Sequence, residues 1–247
     1  MRTPKKTILA AICLAVSFIF TGAAFAEGVI ITTGAGYKTM VETLSKTFRE
    51  SGGKIEEMYG GHIGHMLMQM KQGSNVNVVI SDKGTLEELS NGVEFDTLEN
   101  LGDTLLVLAW RKGIELKTPK DLEKPEVKTV CFPDTKSAIY GRAASKFLES
   151  SGIGKNITGK LSEVSSVPQV FAYLTTGEMD AGFVNRVMIL NGAEKIGGSM
   201  EIADGYPSLN MVAAVVKGSG ANPGVVKFLE FLRSAKGKAI LKKNGVW

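Results

Sequence analysis

The only two histidines of the chain, His62 and His65, stand three residues apart in a glycine-rich stretch, Gly60-Gly61-His62-Ile63-Gly64-His65. Met66, Met68 and Met70 follow directly. Imidazole and thioether groups suit copper or another soft cation, so His62 and His65 form a candidate metal site. A second chemistry fits the same residues: Met66 and Met70, four apart, fill one stripe of a helix core, while His62 donates a hydrogen bond to an anion. The stretch holds no cysteine or carboxylate to complete a metal's ligand set, which favours the anion. Two further side chains carry reactive potential. Arg186 follows a short apolar run and can give a charge-assisted bond to an oxyanion or stand solvated at the surface. Cys131 lies in an apolar run with no histidine near it in sequence and reads as a buried, inert thiol.

The elements that must position these groups repeat one device twice. In the first copy, a β-branched run at Val29 to Thr33 leads through Gly34-Ala35-Gly36 into a helical pattern from Tyr37. In the second, Ile55 to Tyr59 leads through the Gly60 to Gly64 turn into a helical pattern from His65. A helix start carries a partial positive charge and up to four amide N–H groups without carbonyl partners, and glycine lets a ligand approach them closely. Two such starts imply a site for a small anion.

The first residues carry Arg2, Lys5 and Lys6 without an acid; an apolar run to about Phe20 and Ala24-Phe25-Ala26 follow. This pattern is an export signal over residues 1–26, with cleavage expected after Ala26 and a periplasmic destination. The run is short for a membrane anchor, and Ile12 before Cys13 does not suit lipidation. Loss of the signal takes away three cations, so the formal charge of +4 drops to about +1. Neither that charge nor the few aromatics call for nucleic acid. One cysteine remains, which excludes an intrachain disulfide. No cofactor is expected, no acid–base pair marks an enzyme, and no Gly-x-x-x-x-Gly-Lys phosphate loop is present.

Short apolar runs alternate with helical patterns, the rhythm of α/β sheets with helices on their faces. Strands are expected at Val76 to Ile80, Leu105 to Trp110, Thr129 to Phe132, Ala181 to Val184 and Met211 to Val216. Helices are expected from Tyr37 to Phe48, around Leu86, from Thr118-Pro119-Lys120-Asp121, over Tyr140 to Leu148 and Val167 to Leu174, and near Phe228 and Ala239. No charged or low-complexity linker divides the chain. If it forms two lobes, it must cross between them inside strands, which makes a hinge.

Several blocks carry a family likeness. They are the Gly-Gly-x-x-Gly turn whose helix ends Gln69-Met70-Lys71-Gln72-Gly73, then Val78-Val79-Ile80-Ser81-Asp82, then Ala138-Ile139-Tyr140-Gly141. Gly177-Glu178-Met179-Asp180-Ala181-Gly182 and the closing Phe228-Leu229-Glu230-Phe231-Leu232, Gly237 and Ala239-Ile240-Leu241 complete it. Across nearly all of the mature chain this resembles the periplasmic molybdate-binding proteins of ABC importers, within the type II solute-binding proteins. The resemblance implies two α/β lobes joined by crossing strands: residues 27–107 and 210–247 in the first lobe, 108–209 in the second. It implies a monomer that holds molybdate or tungstate between the lobes with neutral donors, then presents it to a permease and its ATPase in the inner membrane. The turns at Gly34, Ala35, Gly36 and Tyr37 and at Gly61, His62 and Ile63 would capture the anion. Closure would bring Ser137, Val167, Asn185 and Arg186 onto it. The family's two serines fall at Gly36 and at His62 or Ile63, and its tyrosine at Asn185, so the backbone donors are kept and most hydroxyls are not. A soft-metal protein using His62 and His65, and a binding protein for a larger anion, remain as alternatives.

Overall fold

β-Branched residues buried on both faces need a parallel strand between covered layers, and Val29–Thr33 meets that requirement as the first strand, β1. A computed structural model describes residues 28–90 and 92–247; the export signal expected at 1–26 lies outside the described residues. After β1, a 3-10 turn at Ala35–Tyr37 runs into α1 (Lys38–Glu50). The inward face of α1 is Met40, Val41, Leu44 and Phe48, the three-and-four spacing of an amphipathic helix. Phe48 meets Phe228 edge-on at 5.3 Å between ring centres. Then come β2 (Ile55–Glu57), α2 (Ile63–Lys71), β3 (Val78–Asp82), α3 (Lys83–Leu89) and β4 (Phe95–Thr104).

The second half repeats the scheme with β5 (Leu106–Trp110), β6 (Val130–Pro133), α4 (Ile139–Ser150), α5 (Ile153–Asn156) and β7 (Leu161–Val164). It continues through α6 (Val167–Thr176), β8 (Ala181–Asn185), α7 (Arg186–Leu190) and β9 (Gly198–Ile202). The chain closes with β10 (Leu209–Val216), α8 (Pro223–Arg233) and α9 (Ala235–Lys243). The helix expected from Thr118 is a 3-10 segment, Pro119–Glu123, held by a capping box between Thr118 and Asp121.

Two five-stranded sheets result, ordered β2-β1-β3-β10-β4 and β7-β6-β8-β5-β9. They share one plan. The first three strands of each order run parallel, and β10 or β5 lies antiparallel between its two neighbours. These two antiparallel strands are the ones entered from the other half of the molecule. The chain leaves the first sheet at Thr104 and enters the second at Leu106, then returns between Ile202 and Leu209. Helices cover the sheets, giving two α/β lobes linked by these two crossings.

Asp180 ties the second lobe together at the start of β8. Burial pushes its carboxyl up, but the Lys128 and Thr129 amides and the Arg111 guanidinium outweigh this and hold it below the usual range. The bonds measure 2.6 Å, 3.0 Å and 2.7 Å. A carboxyl depressed on folding stabilises above its unfolded value of about 3.9, and that contribution fades as pH falls toward the folded value. Asp180→Ala orphans both amides and the guanidinium, so we expect a loss of about 2–4 kcal/mol in urea unfolding at pH 7, shrinking toward pH 3. Cys131 is buried in β6, and burial pushes its thiol up to about 12, so it stays a neutral thiol.

Candidate functional site

Four helix starts face one another across the gap between the lobes. On the first lobe, the turn after β1 spends two of its amides internally: Ala35 N–H donates to the Gly61 carbonyl at 3.0 Å, and Tyr37 N–H to the Gly34 carbonyl at 3.0 Å. The Gly36 amide stands between them without such a bond. The Ala35–Gly61 link fastens the two glycine turns to each other, and Gly61 reaches it with φ of +94°, a backbone shape that a side chain resists. His62 then sits at the N-cap of α2 in an extended conformation. The His65 amide returns to the His62 carbonyl, while Ile63 and Gly64 lie ahead of any intrahelical acceptor.

On the second lobe, Ala138 is the N-cap of α4, so the amides of Ile139 and Tyr140 open that helix. Ser166 caps α6 by accepting from the Gln169 amide, and Pro168 has no N–H to give. One amide is left at the mouth of α6, that of Val167. Accepting the Gln169 bond leaves the Ser166 hydroxyl proton free to donate.

A cavity of about 30 Å³ lies where these starts meet, walled by Gly34 to Tyr37, His62 and Ile63 from one lobe and by Ala138 to Tyr140 and Ser165 to Val167 from the other. That is room for roughly one or two waters. No lysine, arginine or carboxylate lines it. The Nδ1 of His62 is buried there without a partner. Burial and the neighbouring His65 lower the imidazole's pKa from its ordinary value, Asp134 opposing, so the ring is neutral at pH 7 and one of its nitrogens is a donor. The sign for folding follows: an unfolded His62 takes a proton below about pH 6.5 and the folded one resists it, so stability falls as pH drops through that range.

Several contacts hold the lobes together around the cavity. The Tyr37 and Tyr140 hydroxyls bond to each other, one from each lobe, and Thr104 Oγ1 lies 3.2 Å from the Tyr140 hydroxyl. Burial drives both phenols far above their ordinary range, so both keep their protons. Asn185, fully buried, donates from Nδ2 to the Gly36 carbonyl at 2.8 Å. Arg142 of α4 pairs with Glu88 of α3.

Of the residues expected from sequence, Gly34, Ala35, Gly36, Tyr37, His62, Ile63 and Val167 meet at the cavity. Four others stand apart from its wall. Gly61 braces the two turns. Ser137 turns its amide and hydroxyl onto Asp134 rather than inward. Asn185 bridges the lobes beside the cavity and caps α7 through the Met188 amide. Arg186 pairs with Glu201 at 3.2 Å and stacks 4.5 Å over the Trp247 ring, its charge committed elsewhere. His65 is exposed and stacks on His62 at 4.3 Å, and the described residues contain no group of three or more His, Cys, Asp or Glu placed to hold a metal. Met66 and Met70 are in the core, as the helical stripe requires. The wall also includes Ser165 and Ser166, which sequence reasoning passed over. Their signal is the Ser166-x-x-Gln169 spacing of a capped helix start, with proline in the first turn.

The solved periplasmic molybdate-binding protein of Azotobacter vinelandii superposes with a TM-score of 0.77 at 22% identity, covering 89% of this chain and 98% of that one. PEB3 with bound L-phospholactate gives a TM-score of 0.68 at 17% identity, over 88% and 98%. These likenesses define the fold: two α/β lobes joined by crossing strands. In sequence, the molybdate-binding protein ModA of Rhodobacter capsulatus is 27% identical over 234 residues, 90% of this chain and 89% of that protein. The pattern of the bacterial extracellular solute-binding proteins matches residues 29–246, and the chain belongs to that family. It is a binding protein, not an enzyme.

Proposed function

We propose that the chain is the extracytoplasmic receptor of an ABC importer and captures a small tetrahedral oxyanion, molybdate or tungstate, between its lobes. The observation that carries the reading is the convergence of four helix starts, two from each lobe, on one cavity without a formal cation. Preorganised amides and helix dipoles in a water-poor cleft stabilise a dianion without a counter-charge. Both molybdate-binding relatives share this fold or sequence over about nine-tenths of the chain. Gly36, Ile63, Tyr140 and Val167 would supply amides, and His62 and Ser166 side-chain donors. With no carboxylate or other strong acceptor in the wall, an oxyanion that keeps a proton at neutral pH leaves that proton unpaired, which selects fully ionised dianions over hydrogen phosphate.

The cavity is small because the lobes touch, so the ligand enters as they part and is sealed as they return. Closure then offers a joined surface of both lobes to an inner-membrane permease, whose ATPase supplies the energy. A thermal-shift panel of molybdate, tungstate, sulfate, phosphate, phospholactate, Cu(II) and Zn(II) tests the assignment. At a hundredfold over its dissociation constant a ligand adds about 2.7 kcal/mol. For a chain of this size that raises Tm by roughly 5–10 °C. Molybdate and tungstate should give that shift and the metals none. A shift with copper that His62→Ala removes, and none with any oxyanion, would overturn the anion reading.

A further inference from the structure

The residues that follow α9 make a further contact between the lobes. Gly245, at φ of +74°, closes α9 by donating its amide to the Lys242 carbonyl at 3.1 Å, and Val246 beside it is buried. Trp247 then pairs with Asp103 of β4 in both directions, its carbonyl accepting at 2.8 Å and its amide donating at 3.1 Å. Gly102 permits this approach, because a Cβ there would stand 2.6 Å from the Trp247 carbonyl oxygen. All of these anchors belong to the first lobe. The Trp247 ring instead meets the second: the Arg186 guanidinium carbon lies 4.5 Å from the ring centre, and Glu201 of β9 holds the same guanidinium at 3.2 Å. Gly245 is fitted to the same neighbour, since a Cβ on it would stand 2.9 Å from the Arg186 Cβ. A guanidinium over an indole face is attracted by the ring's electron-rich surface, and tryptophan gives the strongest contact of this kind. At 48% exposed, Trp247 adds little to the core, so the stack is the main use of its ring.

We infer that Trp247 is a positioning residue for the oxyanion site, an inference that rests on the function proposed above. Its ring seats Arg186, the first residue of α7 and the next in the chain after Asn185. Asn185 is fully buried, caps α7 through the Met188 amide and donates to the Gly36 carbonyl at 2.8 Å. Seating Arg186 therefore keeps the Asn185 side chain on Gly36, whose own N–H is one of the donors to the anion. The stack also joins the lobes, so its energy counts toward the closed arrangement that holds the ligand.

Calorimetric titration with molybdate, together with side-chain amide exchange in the ligand-free protein, tests this with variants at both ends of the stack. Trp247→Ala should bind molybdate about three- to tenfold more weakly. Trp247→Leu keeps apolar bulk without the aromatic face and should lose as much, whereas Trp247→Tyr should keep most of the affinity. Arg186→Gln should match the loss, and the double variant Trp247→Ala/Arg186→Gln should be no weaker than either single one. Without ligand, the Asn185 side-chain N–H protons should exchange with water faster in Trp247→Ala while the urea midpoint stays put. A segment that only stabilised the fold would lower the midpoint and leave those protons protected. Wild-type affinity in Trp247→Leu, additive losses in the double variant, or unchanged Asn185 exchange overturns the inference. The exchange measurement needs no ligand, so failure of the wild-type protein to bind molybdate counts against the oxyanion reading and is distinguishable from failure of this one.

Discussion

Val167→Pro is expected to weaken oxyanion binding by about 10- to 100-fold while leaving the fold intact. Val167 is the first residue of α6, where proline is well tolerated because the N–H there has no carbonyl to meet. Ser166 before it is extended, at φ of −159° and ψ of 160°, a shape compatible with a following proline. The substitution deletes the sole free amide that α6 offers, and the pyrrolidine ring, with as many side-chain carbons as valine, replaces the buried Val167 side chain at similar volume. A hydrogen bond to a charged partner contributes about 1.5–3 kcal/mol, which sets the range of the loss. Calorimetric titration with molybdate measures it, and urea unfolding without ligand checks that stability moves by less than about 1 kcal/mol. Wild-type affinity in this variant would mean that α6 does not point its dipole at the ligand.

Gly64→Val should cost more, on the order of a hundredfold or beyond, by a different route. A Cβ at Gly64 would stand 2.9 Å from the Ser137 Cβ and 3.6 Å from Leu89. Gly64 belongs to the first lobe and Ser137 to the second, so a branched side chain there is a wedge between them. Its own helix accepts valine at a small propensity cost, so the first lobe folds as before. The wedge holds the cleft ajar, water stays among the donors, and the amides of α4 and α6 no longer reach an anion seated on the first lobe. Small-angle scattering with saturating molybdate should show no contraction in the variant and a measurable one in the wild type. Contraction and tight binding in Gly64→Val would show that closure at this point is not needed.

The sequence made the inner strands plain because they are buried on both faces and read as unbroken apolar runs: β1, β3, β5, β6, β8 and β10 all stand where the runs are. It was silent on β4, β7 and β9. Each of these lies at a sheet edge, with one side in water and a mixed composition such as the Asp96 to Asp103 stretch of β4, so no run or alternation marks it. The very short α5 and α7 are too brief for a helical period to register. The same division applies to the site. The glycine turns and the Val167 helix start are local features, and the residues expected there do line the cavity. Ser137, Asn185 and Arg186, like Val167, came from the family resemblance. Their side chains are claimed by partners far off in sequence or across a turn: Gly36 for Asn185, Glu201 and Trp247 for Arg186, Asp134 for Ser137. Such competition depends on tertiary packing, which no local spacing records.

Under the proposed oxyanion reading, glycine at Gly36 and His62-Ile63 at the α2 start leave backbone amides as the main donors of the first lobe. A serine supplies a donor that rotates to its acceptor, whereas a backbone amide is fixed by its helix. Here the bond from Asn185 to the Gly36 carbonyl and the link from Ala35 to Gly61 hold those amides in place. Rigid donors favour one size and shape of anion, at the cost of adaptability.

Amide chemical shifts of the 15N-labelled protein, titrated with molybdate, bear on the backbone-donor mechanism without any mutation. The amides of Gly36, Ile63, Tyr140 and Val167 should move downfield together at one stoichiometric equivalent, on both lobes at once. Shifts confined to one lobe, or gathered at lysines and arginines on the surface while these four stay still, would contradict it.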